Sequence, residues 1–105
     1  MMHPSLDFPK INAAALTALP ALCARWMPGG KCIGREYVAL NPTRSDRRAG
    51  SFKVNLQNGR WADFATGDKG GDAVSLAAYL FGLRQSEAAR RLADALGISE
   101  GARHA

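Results

Sequence analysis

Residues 50–72, GSFKVNLQNGRWADFATGDKGGD, decide the fold. Phe52, Val54 and Leu56 alternate with Ser51, Lys53 and Asn55, the period-2 pattern of a strand with one buried face. Asn58-Gly59 follows, a dipeptide that tolerates the positive φ of a two-residue type I′ hairpin turn. Arg60 to Phe64 returns as the partner strand. With that turn, Leu56 faces Trp61 and Val54 faces Asp63 on one side, while Gln57 faces Arg60 and Lys53 faces Phe64 on the other. The first side is expected to be core, with Trp61 as its largest piece. The glycines of Gly67 to Gly71 read as a tight turn rather than as regular structure. Asp72 stands where a helix N-cap belongs, ahead of the apolar run Ala73 to Phe81.

Working outward, Lys31 to Leu40 reads as an earlier strand, with Glu36, Val38 and Leu40 on one side and Arg35, Tyr37 and Ala39 on the other. Residues 41–50, NPTRSDRRAG, form a polar connection between turn residues, an arm carrying three arginines. Before it, Asn12 is placed to cap a helix through Leu19. Pro20 then either interrupts that helix or opens a second one running to Met27. Leu19, Leu22, Cys23 and Trp26 share a face, and Trp26 reads as a core anchor. After the hairpin, a helix from Asp72 to Phe81 buries Val74, Leu76, Ala77, Leu80 and Phe81 and ends at Gly82 in a left-handed cap. A second, from about Gln85 to Leu96, turns Ala88, Leu92, Ala95 and Leu96 inward and ends at Gly97, with Ile98 folding back. The expected class is α+β: a small three-stranded antiparallel sheet, preceded by an N-terminal helix and followed by two helices on one face. Residues 1–10 read as a loose tail, 11–98 as the domain and 99–105 as a frayed end.

Composition narrows the function. No apolar run of the 105 residues approaches the ~20 needed to span a membrane. The start, MMHPSLDFPK, lacks the basic-then-apolar signal pattern, so a cytosolic protein is expected. Cys23 and Cys32 lack metal or redox spacing, and His3 and His104 lie in the tails, so neither zinc nor another cofactor is expected from these residue types. The net charge of +5 is carried entirely by residues 31–60; elsewhere seven basic residues balance seven acidic ones. Cations concentrated on one element are the footprint of a polyanion binder. Candidate contacts are Arg35 and Tyr37 on the first strand, Arg44, Arg47 and Arg48 on the arm, and Lys53 and Arg60 on the hairpin. Tyr37 and Phe64 serve equally well as stacking platforms or as edges of the core. GDKGGD lacks both GxxxxGK[ST] and GxGxxG, so it reads as a capped turn rather than a phosphate cradle. Asp46, Asp63, Asp68 and Asp72 have no histidine or cysteine partner, so no catalysis is expected.

SFKV, a hairpin, an aromatic strand, Gly-Gly-Asp opening an apolar helix, then Gly-Leu and a helix with Glu-Ala-Ala: from Arg35 to Ile98 the chain resembles the zinc-binding ribbon at the N-terminus of bacterial and phage DNA primases. That family's ribbon helps recognise single-stranded template. The chain departs from it at the metal. Asn41 and Arg44 stand where the family has Cys and His of a Cys-Pro-x-His element, and Asp63 and Thr66 stand at the two cysteines of a Cys-x-x-Cys element. The resemblance implies a ribbon without its metal, similar to the front of primase-helicases of phages, plasmids and integrative elements. Its implied partner is single-stranded DNA or RNA, in replication or priming of a mobile element. The alternative is an adaptor docking on a helicase, primase or polymerase through its apolar helices. A structural zinc contributes on the order of 10 kcal/mol in small fingers. Burial of Trp61, Phe64, Tyr37 and Trp26, with an Asp63–Arg44 ion pair, is expected in its place.

Overall fold

The computed structural model describes residues 6–43 and 51–98. Its elements run α1 (Phe8–Thr17), α2 (Leu19–Trp26), β1 (Lys31–Ile33), β2 (Glu36–Ala39), β3 (Phe52–Asn55), β4 (Trp61–Asp63), β5 (Lys69–Gly70), α3 (Ala73–Phe81) and α4 (Gln85–Leu96). The strands form one sheet in the order β1-β2-β3-β4-β5, antiparallel throughout. The α+β class is as expected, but there are five strands and four helices among the described residues rather than three and three.

The extra strands have local causes. Ile33 pairs with Glu36, so Gly34 and Arg35 are the two central residues of a hairpin, and Gly34 takes φ +61°. Positive φ at the first central residue is the feature of a type II′ turn, and glycine adopts it without strain. One expected strand thus becomes two. At the other edge, Lys69 and Gly70 pair with Ala62 and Trp61. A Cβ on Gly70 would lie 2.5 Å from both Trp61 Nε1 and Ser75 Oγ, so the indole fits only over a glycine.

The β3–β4 pairing is shifted by two residues from expectation. Val54 faces Trp61 and Phe52 faces Asp63, and the chain closes through Asn55 N–H to Arg60 C=O (2.7 Å). Gly59 has φ +81° but Asn58 does not take positive φ, so the turn is a wider loop and not a two-residue type I′ turn. The Asn55 side chain accepts from Gln57 N (2.8 Å) and Asn58 N (3.1 Å), stabilising the longer connection. An even shift leaves the faces unchanged. Phe52, Val54, Trp61 and Asp63 still point inward, and Lys53 still points out.

The helices cover that inner face. Phe52 stacks on Tyr79 of α3 at 6.1 Å between centroids, and Trp61 lies 4.6 Å from the same ring. Trp61 Nε1–H donates to Ser75 Oγ (3.0 Å). Asp72 caps α3 as expected, accepting from Ser75 N (2.8 Å) in a capping box, and Gly82 and Gly97 end α3 and α4 in left-handed caps. Ile98 N–H returns to the Ala93 carbonyl (2.8 Å).

Two helix expectations are corrected, and one choice left open is settled. The first helix begins at Phe8, capped by Asp7, because Asp7 accepts from Lys10 N (3.0 Å) and Pro9 suits the first turn. Asn12 is therefore inside α1, and its side chain accepts from Val74 N (3.0 Å), capping α3 across the core. Of the two readings of Pro20, the second holds: it lies in the first turn of α2. Phe81 is 53% exposed, not core, and Ala95 is also exposed, whereas Ala78, Ala89 and Ala93 are buried: the tight α1–α3–α4 seam is lined by alanine.

Both cysteines are free, Cys23 buried and Cys32 exposed. Burial, then the nearby Cys32 sulfur, pushes the Cys23 thiol from 9.0 up to about 12. Burial first, and then Cys23, also raises the Tyr37 phenol. Both groups are held protonated in the folded state. Unfolding above about pH 9 therefore releases protons, and stability falls as pH rises from there. Urea titrations at pH 8 and about 10.5 are expected to show that loss, with a shallower decline in Cys23→Ala. A thiol reagent at pH 8 should label Cys32 rapidly and Cys23 only on unfolding. Gly70→Ala should cost about 1–3 kcal/mol in the same titration, from overpacking against the Trp61 indole.

Candidate nucleic-acid interface

Pairing across all five strands places directly opposed residues in transverse rows on one side. On the face away from the helices the central row is Lys31, Val38, Lys53, Ala62, Lys69. Lysines thus occupy alternate strands, about 10 Å from one to the next at the ordinary strand spacing. On one side of this row are Ile33, Glu36 and Asn55, continued by Arg60 at the hairpin loop. On the other side Phe64 N–H bonds the Ser51 carbonyl (2.7 Å), extending the ladder one pair beyond Phe52–Asp63. Phe64 is 68% exposed and Ile33 59%, large apolar surfaces for an uncovered sheet face. The Lys53 ammonium stands 5.8 Å from the Phe64 ring centroid, within cation–π range. Lys53, Arg60, Lys69, Glu36, Asn55 and Phe64 border an open depression of about 290 Å³. Glu36 is the one carboxylate on this face among the described residues.

The residues expected here divide into four groups. Lys53 and Arg60 lie on the face as read from the sequence. Arg35 is exposed at the β1–β2 turn, where its Nη1 donates to Gln57 Oε1 (3.3 Å) and its carbonyl accepts from Leu56 N (2.8 Å), which holds it beside the hairpin loop. Tyr37 is not part of the interface. It alternates onto the inner face, is buried, and donates its hydroxyl to the Met27 carbonyl (2.7 Å), so it is a core residue. Arg44, Arg47 and Arg48 lie outside the described residues, as does the expected Arg44–Asp63 pair.

Lys31 and Lys69 were not among the expected contacts, and the register alone brings them into the row. For Lys69 the signal was weak: a two-residue strand containing glycine has no alternation to read. Phe64 corrects the expectation of replacement burial, since it faces solvent, whereas Trp61 and Tyr37 do supply burial and Trp26 is half-buried.

Behind the sheet, two positions aligned with metal ligands by the resemblance come together. Asn41 and Asp63 are fully buried, and Asn41 Nδ2 donates to Asp63 Oδ2 (2.8 Å) and to the Tyr79 hydroxyl (2.9 Å). Asn41 Oδ1 accepts from Thr43 N (2.8 Å) and Thr43 Oγ1 (2.7 Å). Asp63 Oδ1 accepts from Ala65 N (2.8 Å), and the Tyr79 hydroxyl donates to Asp68 Oδ2 (2.8 Å). Thr66, the fourth aligned position, is exposed on the turn that Asp63 closes. A tetrahedral zinc site needs thiolate or imidazole donors, and an amide, a hydroxyl and one carboxylate already accepting hydrogen bonds do not fit it. Among the described residues no three of His, Cys, Asp and Glu converge on one point.

A scan of protein-family models and a search of curated proteins both find no match to this chain. Among the described residues no helix is long and apolar enough to cross a membrane.

Removing the amide that faces the buried Asp63 carboxyl group takes away one of its hydrogen-bond donors. Asn41→Ala is expected to lower stability by about 1–3 kcal/mol. In a double-mutant cycle with Asp63→Ala the two changes should couple, because they act on one hydrogen bond.

Proposed function

We propose that this chain is a metal-free, primase-type ribbon domain that binds single-stranded nucleic acid, preferably DNA, in the replication or priming of a mobile element. The observation that carries the reading is the row Lys31–Lys53–Lys69 beside an exposed Phe64 on a sheet face the helices leave open. Lysines on alternate strands and arginines at one rim neutralise phosphates and release counterions. An aromatic ring beside an ammonium gives a base a surface to stack on, with no need to read its edge. Phosphate contacts and stacking carry no base identity, so binding is expected to be sequence-tolerant. The hydrogen-bonded Asn41–Asp63 contact supports the primase-type part, since it brings together two positions that would hold the metal in that family.

A second reading, the adaptor that docks on a helicase, primase or polymerase, is favoured by the exposure of Phe81 on the helical side.

Fluorescence anisotropy with a labelled oligo-dT across a salt series tests the first reading. Three to five phosphate contacts predict a log–log slope of roughly −2 to −3.5. Lys53→Ala and Lys69→Ala should each flatten that slope by about 0.7, and Phe64→Ala should weaken binding by about 1–3 kcal/mol while leaving the slope alone. Tyr37→Phe should change neither. Absence of binding at about 50 mM salt would remove the reading. Elemental analysis of the purified protein is expected to find no stoichiometric zinc, and one zinc per chain would overturn the metal-free assignment.

A further inference from the structure

On the opposite side from the lysine row, α2, α3 and α4 leave a groove of about 230 Å³. Its walls follow helical spacing: Leu22, Arg25 and Trp26 from α2, Ala77 and Phe81 from α3, and Ala88, Arg91, Leu92 and Ala95 from α4, with Leu83 closing one end. Trp26 and Phe81 meet edge to face, centroids 5.9 Å apart and planes at 83°. Trp26 is half-buried and Phe81 exposed, so each ring keeps part of an apolar surface facing the groove. Helix packing does not require this exposure. α3 and α4 pack on each other with Ala77, Ala78, Ala88, Ala89 and Ala93 among their buried residues, whereas Phe81 is exposed.

Among the described residues, two guanidiniums are the only charges lining the groove. Arg25 makes no ion pair among the described residues. Arg91 has only an exposed i,i+4 contact with Glu87 at 3.9 Å, the outer limit of an ion pair and weak in water. An apolar slot flanked by two cations complements a segment with large apolar side chains and nearby carboxylates. A second copy of the chain would bring the same two guanidiniums against these, which disfavours self-association.

We infer that this groove docks a short acidic–apolar peptide segment of a protein partner, one or two Leu or Phe side chains packing against the paired Trp26 and Phe81 rings while carboxylates meet Arg25 and Arg91. The inference gives a chemistry to the adaptor reading and does not rest on nucleic-acid binding, which uses the other side of the molecule.

The two indole N–H signals of a ¹⁵N-labelled chain provide the test. Trp26 lines the groove, whereas Trp61 is locked to Ser75 in the core. The probe is an acetylated peptide of sequence EDLFDELL, with KKLFKKLL and EDSSDESS as comparisons. EDLFDELL should shift the Trp26 indole and leave that of Trp61 in place, and each comparison peptide should bind at least about tenfold more weakly. Arg25→Glu with Arg91→Glu should reverse the preference between the acidic and lysine peptides. Phe81→Ser, at an exposed position, should abolish the shift yet keep the oligo-dT affinity of the parent. The inference is overturned if EDLFDELL perturbs Lys53 and Lys69 rather than Trp26, or if KKLFKKLL binds as well. It is also overturned if the Trp26 signal changes with protein concentration alone, which would assign the groove to a second copy. Loss of peptide binding with DNA binding intact removes this inference only, and the converse removes only the interface on the sheet.

Discussion

A carboxylate placed in a protein interior must be met by donors, and Asp63 imposes that condition on everything around it. It sits at the end of β4, fully buried, and the Asn41 amide reaches it from the connection after β2. The same amide holds Tyr79 on α3, and Tyr79 in turn reaches Asp68 on the turn before β5. One connected set of hydrogen bonds therefore fixes a strand end, two loops and a helix. Among the described residues an amide, a phenol and main-chain N–H groups take part in gathering these segments. Such an arrangement is directional and unforgiving, because each partner lost leaves a desolvated polar group behind.

The aromatic layer depends on this set. Tyr79 is both a hydrogen-bonding member and the ring on which Phe52 stacks and against which Trp61 leans. Its hydroxyl orients the ring and its face completes the contact between sheet and helix. The close approach of Gly70 to the Trp61 indole then follows, since any larger residue would push that indole off Ser75. With the inner face closed in this way, the outer face is left to the lysine row, and the two sides of the molecule present different chemistry: cationic on the sheet, apolar with two guanidiniums on the helices.

Features determined by a few neighbouring residues were legible in the sequence. Alternation placed Phe52, Val54 and Trp61 inward and Lys53 outward. Asp72, Gly82 and Gly97 marked the helix ends because capping and left-handed backbone depend on local chemistry. What could not be read depends on distant partners. The wide loop at Asn55 to Arg60 displaced the hairpin register by two residues, and only the side-chain acceptor of Asn55 distinguishes it from the tight turn. Asn12 looked like the cap of its own helix, yet it serves one that begins 61 residues later, at Ala73. Tyr37 is polar enough to suggest the surface, and its burial depends on a carbonyl offered by Met27. On the open sheet face, Lys53 and Arg60 were evident from charge and alternation, whereas Lys31 and Lys69 joined them only through the complete ladder.

The bond between Asn12 and Val74 also bears on how the chain reaches its native state. α1 packs against α3 and α4, so the helical layer is closed by segments from opposite ends of the sequence. The β-meander has only nearest-neighbour pairings and can zip progressively, but the layer over it cannot close until α4 has emerged from the ribosome. During synthesis the first two helices must wait with an apolar flank uncovered. That interval leaves apolar surface open to misassociation.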